Sequence, residues 1–418
     1  MKQHTKTALK IAYLMQAGVP DIRRYPLSGP SQHVKYIFEE LKNLGHHVQI
    51  LVMFGREIWK TDDFVNFSKI SIKWFDGVLF RLFESAVRRI QSELKLPYLG
   101  LFESLRFAQA CQQELTGFDI LYERMGWMGY GGVLAGHRLR APLILEVNGD
   151  HLREMEMLNM APKGLQRRIS IRIMKKAIKQ ASYIVATGEG WRQKFIERWN
   201  IEPDKVTVIE NGSGLVGLLS RSQLRSFAPA ETPSAPTTVI YIGAFEPWHG
   251  ITILIRALAK ALAQGHLIKL VLVGSGSQND IAKQLVHDLG IEPHVIFTGH
   301  LSEFDYADLL AQADIGVSPY CGRVEFSGLK LLDYKAAGLA TIASGENGQP
   351  AVIEQGHTGL IVPPCDEEAL CEAIIGLANN VDLRRKMGRQ ARLEAENRHS
   401  WKNTASQLQD SFYKVLNS

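Results

Sequence analysis

Twice along this chain, short apolar runs alternate with amphipathic helical stretches, and that alternation limits the fold more than any single residue does. A strand, a helix and a second strand return the chain in one direction, so the strands pair in parallel with helices on both faces of the sheet. In the first half, strand-like runs fall at 11–15, 47–53, 120–122, 143–146, 183–187 and 206–209. Between the first two, Val34, Ile37, Phe38, Leu41 and Leu44 recur at helical spacing, and Gly45 ends the helix. The rhythm breaks at 215–236, where 226–236 is rich in Pro, Ala and Ser, the composition of a loop or linker. A second block follows, with strands at 239–242, 270–273, 295–297, 315–317 and 340–342. Helical stretches at 251–263, 279–289, 306–313 and 329–337 separate them. The expectation is an α/β protein of two doubly wound units, 1–215 and 237–397, joined by a linker at 216–236. A closing helix spans 398–418, and a ligand is expected between the units at the carboxyl ends of the strands.

Composition sets outer bounds. A chain of 418 residues, 45% apolar and 22% charged, can bury two or three ordinary globular cores. A net charge of +5 does not by itself imply a nucleic-acid partner, and none is expected. The positive charge is instead concentrated: residues 163–179 carry seven cations, from Lys163 to Lys179, and no acid. A basic amphipathic helix of this kind can lie on an anionic membrane, or it can be a solvated helix packed on its own domain. Cys111, Cys321, Cys365 and Cys371 form no C-x-x-C pair and no zinc ligand set, and so few thiols point to a reducing compartment. The apolar run at 11–15 follows three lysines but is too short for a signal peptide, so it reads as a first buried strand. No apolar stretch approaches the length of a membrane span. The expected location is the cytoplasm, with the inner membrane face open to it.

The chemistry concentrates between 325 and 338. Glu325 and Asp333 stand eight positions apart, with Gly328 and Lys330 between them. A helix beginning near Gly328 and Leu329 places Asp333 in its second turn, leaning back toward the start. That start offers free N–H groups and a positive dipole, suited to a diphosphate, and Lys330 adds a full charge. A carboxylate only accepts hydrogen bonds, so it fits a sugar diol, whose hydroxyls donate. Taken alone, the two acids could equally be solvated or capping residues. Upstream, Gly243 and Gly250 bracket a loop that contains Ala244 and His249 and follows a strand. Gly274 and Gly276 close the next strand, and Gly299 the one after it.

Together these segments resemble the retaining glycosyltransferases of family 4, the group 1 glycosyl transferases, across 237–365. Glu325 to Asp333 is similar to the family's E-x7-E signature, with Asp in place of the second Glu, and 333–338 resembles the run that follows it. The loop at 243–250 resembles a branch with Pro-Trp-His-Gly, where Ala244 and His249 replace the family's basic residues. In the first half, Ser28, Gly29, His33 and Val34 resemble the family's glycine loop ahead of a helix. Tyr122 to Arg124 and Leu145 to Asn148, followed by Asp150 and His151, end two strands, and Glu210 to Gly212 resembles the family's interdomain edge.

The resemblance implies the GT-B fold: two facing Rossmann-like domains, with the C-terminal helix returning to the N-terminal one. It implies transfer of a sugar from a nucleoside diphosphate sugar to a hydroxyl, with retention, no metal and no other cofactor. The acceptor would be a glycan or lipid-linked molecule, as in polysaccharide or glycoconjugate synthesis. Glu325 would meet the donor sugar and Asp333 the ribose. Gly29, Gly243, His249, Gly274, Gly299, Gly328, Leu329 and Lys330 would line the donor, and Lys330 or a protonated His249 would replace the lost basic charge. Asp150 and His151 are candidates for the reacting centre. As the alternative, Asp150 caps the next helix. His33, Arg124 and Asn148 would lie on the acceptor side. Ala244 and His249 also motivate a second reading, a non-catalytic GT-B subunit that binds a partner or sugar nucleotide. A GT-B epimerase or phosphorylase is a third, with no second set of acids or cofactor lysine to favour it.

Overall fold

A computed structural model describes residues 7–18, 21–24, 27–94, 99–157, 159–228, 236–322, 328–347 and 349–417. The chain divides into two compact units, Met1–Ile209 with Ala405–Ser418, and Glu210–Thr404.

In the first unit, parallel strands β1 (Lys10–Met15), β2 (His47–Phe54), β5 (Ile120–Arg124), β6 (Leu143–Val147), β7 (Tyr183–Ala186) and β8 (Val206–Val208) form most of an eight-stranded sheet. Two antiparallel strands, β3 (Glu57–Thr61) and β4 (Ser68–Ile70), extend the β2 edge. Helices α1 (Gly29–Asn43), α2 (Lys73–Asp76), α3 (Val78–Glu93), α4 (Leu101–Glu114), α5 (Gly131–Leu139), α6 (His151–Met157), α7 (Gly164–Gln180) and α8 (Glu189–Trp199) connect the strands. Ile11 to Met15 are all fully buried, as expected where helices cover both faces of a parallel sheet. In α7, Met174 and Ile178 are buried against this unit, the packed-helix alternative for the basic segment.

The second unit begins with the short helix α9 (Leu215–Leu218). Its strands are β9 (Thr237–Ile242), β10 (Ile268–Val273), β11 (Val295–Gly299), β12 (Ile315–Ser318), β13 (Ala340–Ser344) and β14 (Gly359–Val362), and its helices are α10 (Ile251–Ala263), α11 (Asn279–Asp288), α12 (Glu303–Gln312), α13 (Leu329–Ala336), α14 (Glu367–Asn379) and α15 (Val381–Arg398). The sheet order β11-β10-β9-β12-β13-β14 is the Rossmann arrangement, with its switch point between β9 and β12. Side chains alternate as the strand period requires: Val239, Tyr241, Leu270 and Leu272 enter one core, while Ile240, Ile242, Val271 and Val273 enter the other.

The last helix, α16 (Trp401–Leu416), crosses back. Phe412 packs its ring 5.6 Å from Tyr122, and Lys414 Nζ donates to the Tyr183 hydroxyl at 3.0 Å. The closing helix thus returns to the N-terminal unit.

Two expectations change. The segment read as a linker at 216–236 is, over its first half, part of the second core: Leu215, Leu219 and Leu224 are buried. Its carbonyls are held by Arg392, whose Nη2 donates to Leu219 at 2.7 Å and Val216 at 3.1 Å while Nη1 donates to Ala336. The Pro- and Ala-rich remainder, 229–235, lies outside the described residues. Secondly, Cys321 and Cys365, 44 positions apart, form a disulfide, at odds with the reducing compartment read from the cysteine count. Cys111 and Cys371 are buried thiols.

Because Arg392 is 3% exposed and serves carbonyls on two segments, its removal strands buried acceptors. Arg392→Met is expected to lower stability by about 3 kcal/mol. A urea titration checks this as a lower midpoint at unchanged slope.

Candidate functional site

The carboxyl ends of β9, β10, β11 and β12 bring the second unit's glycine loops together. Gly243 N–H donates to Val273 O at 3.0 Å, and Gly274 N–H donates to Gly299 O at 2.8 Å. At Gly274, φ is +125°, and a Cβ would lie 2.0 Å from the Gly243 carbonyl oxygen, so only glycine permits this approach. Gly250 is tighter still, with a Cβ position 1.7 Å from Pro319 O. The loop after β9 is thereby packed against the segment that follows β12, across the switch point.

Lys330 lies over this junction. Its Nζ sits 4.7 Å from the ring centroids of both Tyr241 and Tyr320 and 3.3 Å from the Tyr241 hydroxyl. It also approaches Gly243, whose Cβ position would be 3.4 Å from Nζ. The Tyr241 hydroxyl donates to Ala244 O at 2.7 Å, so the aromatic cradle is itself anchored in the loop. His249 Nδ1 meets the same carbonyl at 2.5 Å, and its ring lies 4.9 Å from Tyr320. Ala244 and His249 therefore anchor the two tyrosines that cradle Lys330. Gly328 caps α13, and Leu329 and Lys330 begin it.

Asp333 faces inward from α13 and is 9% exposed. Ser213 Oγ donates to it at 2.6 Å and the Tyr306 hydroxyl at 3.3 Å. Burial, reinforced by the charge of Glu303, pushes its carboxyl up to about 7 despite those two donors. Glu325 lies outside the described residues.

The first unit gathers three of the acceptor-side candidates on one acid. His33, on α1, places Nε2 2.5 Å from Glu146 Oε1, and Arg124, at the end of β5, lies 3.6 Å from the same oxygen. Asn148 Nδ2 donates to it as well, and the Tyr13 hydroxyl of β1 donates to Oε2 at 2.8 Å. Glu146 is 1% exposed. Burial opposes its ionisation, but His33, Arg124 and Asn148 outweigh that and hold the carboxyl well below the usual range. Sequence reading passed over Glu146, although an acid ending the apolar run Leu143 to Val147 was the available signal. Gly29 opens α1, one residue after its N-cap Ser28.

Asp150 and His151 have further partners. Asp150 accepts from Arg153 N at 3.1 Å, the capping alternative, and pairs with Arg198 at 2.5 Å. His151 Nε2 lies 2.8 Å from Met125 O.

Both halves of this geometry have counterparts in known proteins. Residues 223–394 match the family model described as glycosyl transferases group 1, and residues 28–212 match the glycosyl transferase 4-like domain. The chain belongs to the group 1 glycosyl transferases. Like other members of that group it has the GT-B fold, a pair of Rossmann-like domains in one chain. This group 1 glycosyl transferase is 23% identical over 392 residues to a phosphatidyl-myo-inositol mannosyltransferase of Mycolicibacterium smegmatis, a match spanning 91% of this chain and 88% of the relative. A mannosyltransferase of the same description from Mycobacterium leprae is 28% identical over 240 residues, which span 54% of this chain and 62% of that protein. Among solved structures, Anabaena HepE in complex with UDP is similar at TM-score 0.69 and 18% identity, over 97% of this chain and 100% of that one. Among the described residues, no helix of the transferase is long and apolar enough to cross a membrane.

The Asp333 environment gives a pH signature. In the folded protein its carboxyl titrates near about 7, against 3.8 without the burial, so between those values the folded state holds a proton that the unfolded state has lost. Its contribution is complete below the lower value and vanishes as pH rises through the upper one, with a slope of up to about 1.4 kcal/mol per pH unit. Asp333→Asn is expected to flatten the stability of the protein across that window, read as melting temperature against pH beside the wild type.

Proposed function

We propose that this glycosyl transferase moves a sugar from a nucleoside diphosphate sugar to a hydroxyl of a glycan or lipid-linked acceptor, with retention and without a metal ion. The observation that carries the reading is Lys330, whose ammonium group is pre-positioned by two tyrosine faces beside the Gly243 loop at the switch point. A cation held this way needs little reorganisation as charge develops on a departing diphosphate. Lys330 and the start of α13 then supply the positive charge that Ala244 and His249 do not, which is the ground for metal independence.

Asp333 is assigned to the ribose. Each of its oxygens accepts one hydrogen bond, so lone pairs remain for a diol. Glu325 is assigned to the donor sugar on the strength of the signature. In the first unit, the Glu146 cluster holds His33, Arg124 and Asn148 in one orientation to receive the acceptor. The leaving diphosphate takes the acceptor's proton, so no strong protein base is required. Asp150, engaged with Arg198 and the α6 start, contributes by shaping this side, and His151 by orienting its backbone neighbours.

The donor set to test first includes UDP-glucose, the compound in a HepE structure, and mannosyl donors, from the names of the curated relatives. The phosphatidyl group in those names makes a lipid-linked acceptor the first acceptor class to try. Lys330→Ala is expected to lower kcat/KM for the donor at least about tenfold, roughly 1.4 kcal/mol of transition-state stabilisation. Steady-state assays of nucleoside diphosphate release, with and without chelator, check both parts. An unchanged kcat/KM removes Lys330 from the role, and loss of turnover with chelator removes metal independence.

A further inference from the structure

Strand β12 ends at Ser318 and β14 at Val362, so Cys321 and Cys365 each lie just past the carboxyl end of a strand. In the sheet, β13 runs between those two strands. Two strand spacings separate their backbones by about 10 Å. The Cα atoms of the two cysteines are nevertheless 4.8 Å apart. The disulfide therefore draws the segment after β12 across the carboxyl end of β13. Tyr320 immediately precedes the bridge, with its ring centroid 4.7 Å from Lys330 Nζ and 4.9 Å from the His249 ring. Tyr241, the other face of the cradle, is held within β9, but Tyr320 lies in a loop. Its place over Lys330 depends on what fixes that loop: the close approach of Gly250 to Pro319 O, the Cys321 N–H donating to Trp248 O at 3.0 Å, and the covalent bridge.

The bridge is also within reach of solvent. Cys365 is exposed and Cys321 half-buried. Cys111 and Cys371 are buried, and burial pushes both thiols up, so neither is a ready thiolate to compete with the bridging pair. Exposed disulfides are the labile kind, and in a reducing compartment a disulfide is of the redox-sensing kind. That reconciles the bridge with a chain of so few cysteines. We propose that the Cys321–Cys365 disulfide is a reversible positioning element of the donor site. Closed, it holds Tyr320 against Lys330 and favours the nucleoside diphosphate; opened by a dithiol, it releases Tyr320 and lowers that affinity. In opening, a thiolate of the dithiol attacks one sulfur of the bridge, and its second thiol then displaces the mixed disulfide. Two electrons and two protons pass to Cys321 and Cys365, and the dithiol becomes a disulfide. Lys330 acts here as the partner of the diphosphate, as proposed above, and the device stands on that role.

Calorimetric titration of UDP, GDP and ADP into the air-oxidised and the dithiothreitol-reduced full chain tests it. Thiol labelling in denaturant should count two thiols in the oxidised chain and all four in the reduced one. Reduction is expected to raise the Kd of the nucleotide that binds by at least about fivefold, and reoxidation to restore it. Cys365→Ser should bind as the reduced wild type does and ignore dithiothreitol. Reduction of the wild type needs no substitution, so the test stands even if that variant does not fold. By linkage, saturating nucleotide should favour the closed bridge by the same factor in a dithiothreitol redox buffer. A bridge that merely staples the fold would lower the melting temperature on reduction and leave Kd within about twofold, which overturns the proposal. Four reactive thiols in the air-oxidised chain overturn it as well. Equal binding in both redox states overturns the redox device alone, whereas no binding by any of the three nucleotides overturns it together with the donor assignment.

Discussion

A parallel strand can be followed only by a crossover, so every strand of the second unit ends on one side, and the loops beyond those ends must share the space there. The close pack of Gly274 on the Gly243 carbonyl and of Gly250 on the Pro319 carbonyl is how this chain resolves the crowding. Any side chain at either position would drive the loops apart. With them together, Tyr241 and Tyr320 face a common point from β9 and from the segment after β12, and Lys330 fills it. The first unit obeys the same rule with different chemistry. Its strand ends converge on a buried carboxylate, Glu146, instead of on glycine backbone.

The two halves thus present opposite electrostatics. In the second unit a cation is held ready by aromatic faces, with neutral loop backbone around it. In the first, an acid is fully engaged by an imidazole, a guanidinium, an amide and a phenol, a network that rigidifies His33, Arg124 and Asn148 together. Asp333 differs from both: burial brings its carboxyl close to neutrality, so its state depends on whatever reaches Ser213 and Tyr306.

Much of this was legible in the sequence. Runs such as Ile11 to Met15 and Val239 to Ile242 are continuous and apolar because both sheet faces are covered, and the glycines sit where strands end. The spacing of Gly328, Lys330 and Asp333 located α13, and the family resemblance located the donor half. Other features were hidden for identifiable reasons. Strand β4, at the sheet edge, and β3 beside it are short and carry no apolar run. Residues 215–224 break the strand–helix rhythm, but three leucines and the distant Arg392 bind them into a core. The Cys321–Cys365 pairing is long-range. Helix α3 carries no signal that the sequence analysis could use, because which of its faces meets the protein depends on Arg106, a partner no local pattern reveals.

The central claim is that the second unit binds a nucleoside diphosphate at the Gly243 loop and Lys330. Calorimetric titration of UDP, GDP and ADP, each against the wild type and Gly274→Val, tests it most directly. The account predicts that one nucleotide binds the wild type and that the valine, by forcing the β9 and β10 loops apart, abolishes that binding while circular dichroism shows the variant still folded. Equal affinity in both proteins, or no binding by any of the three nucleotides, would contradict it.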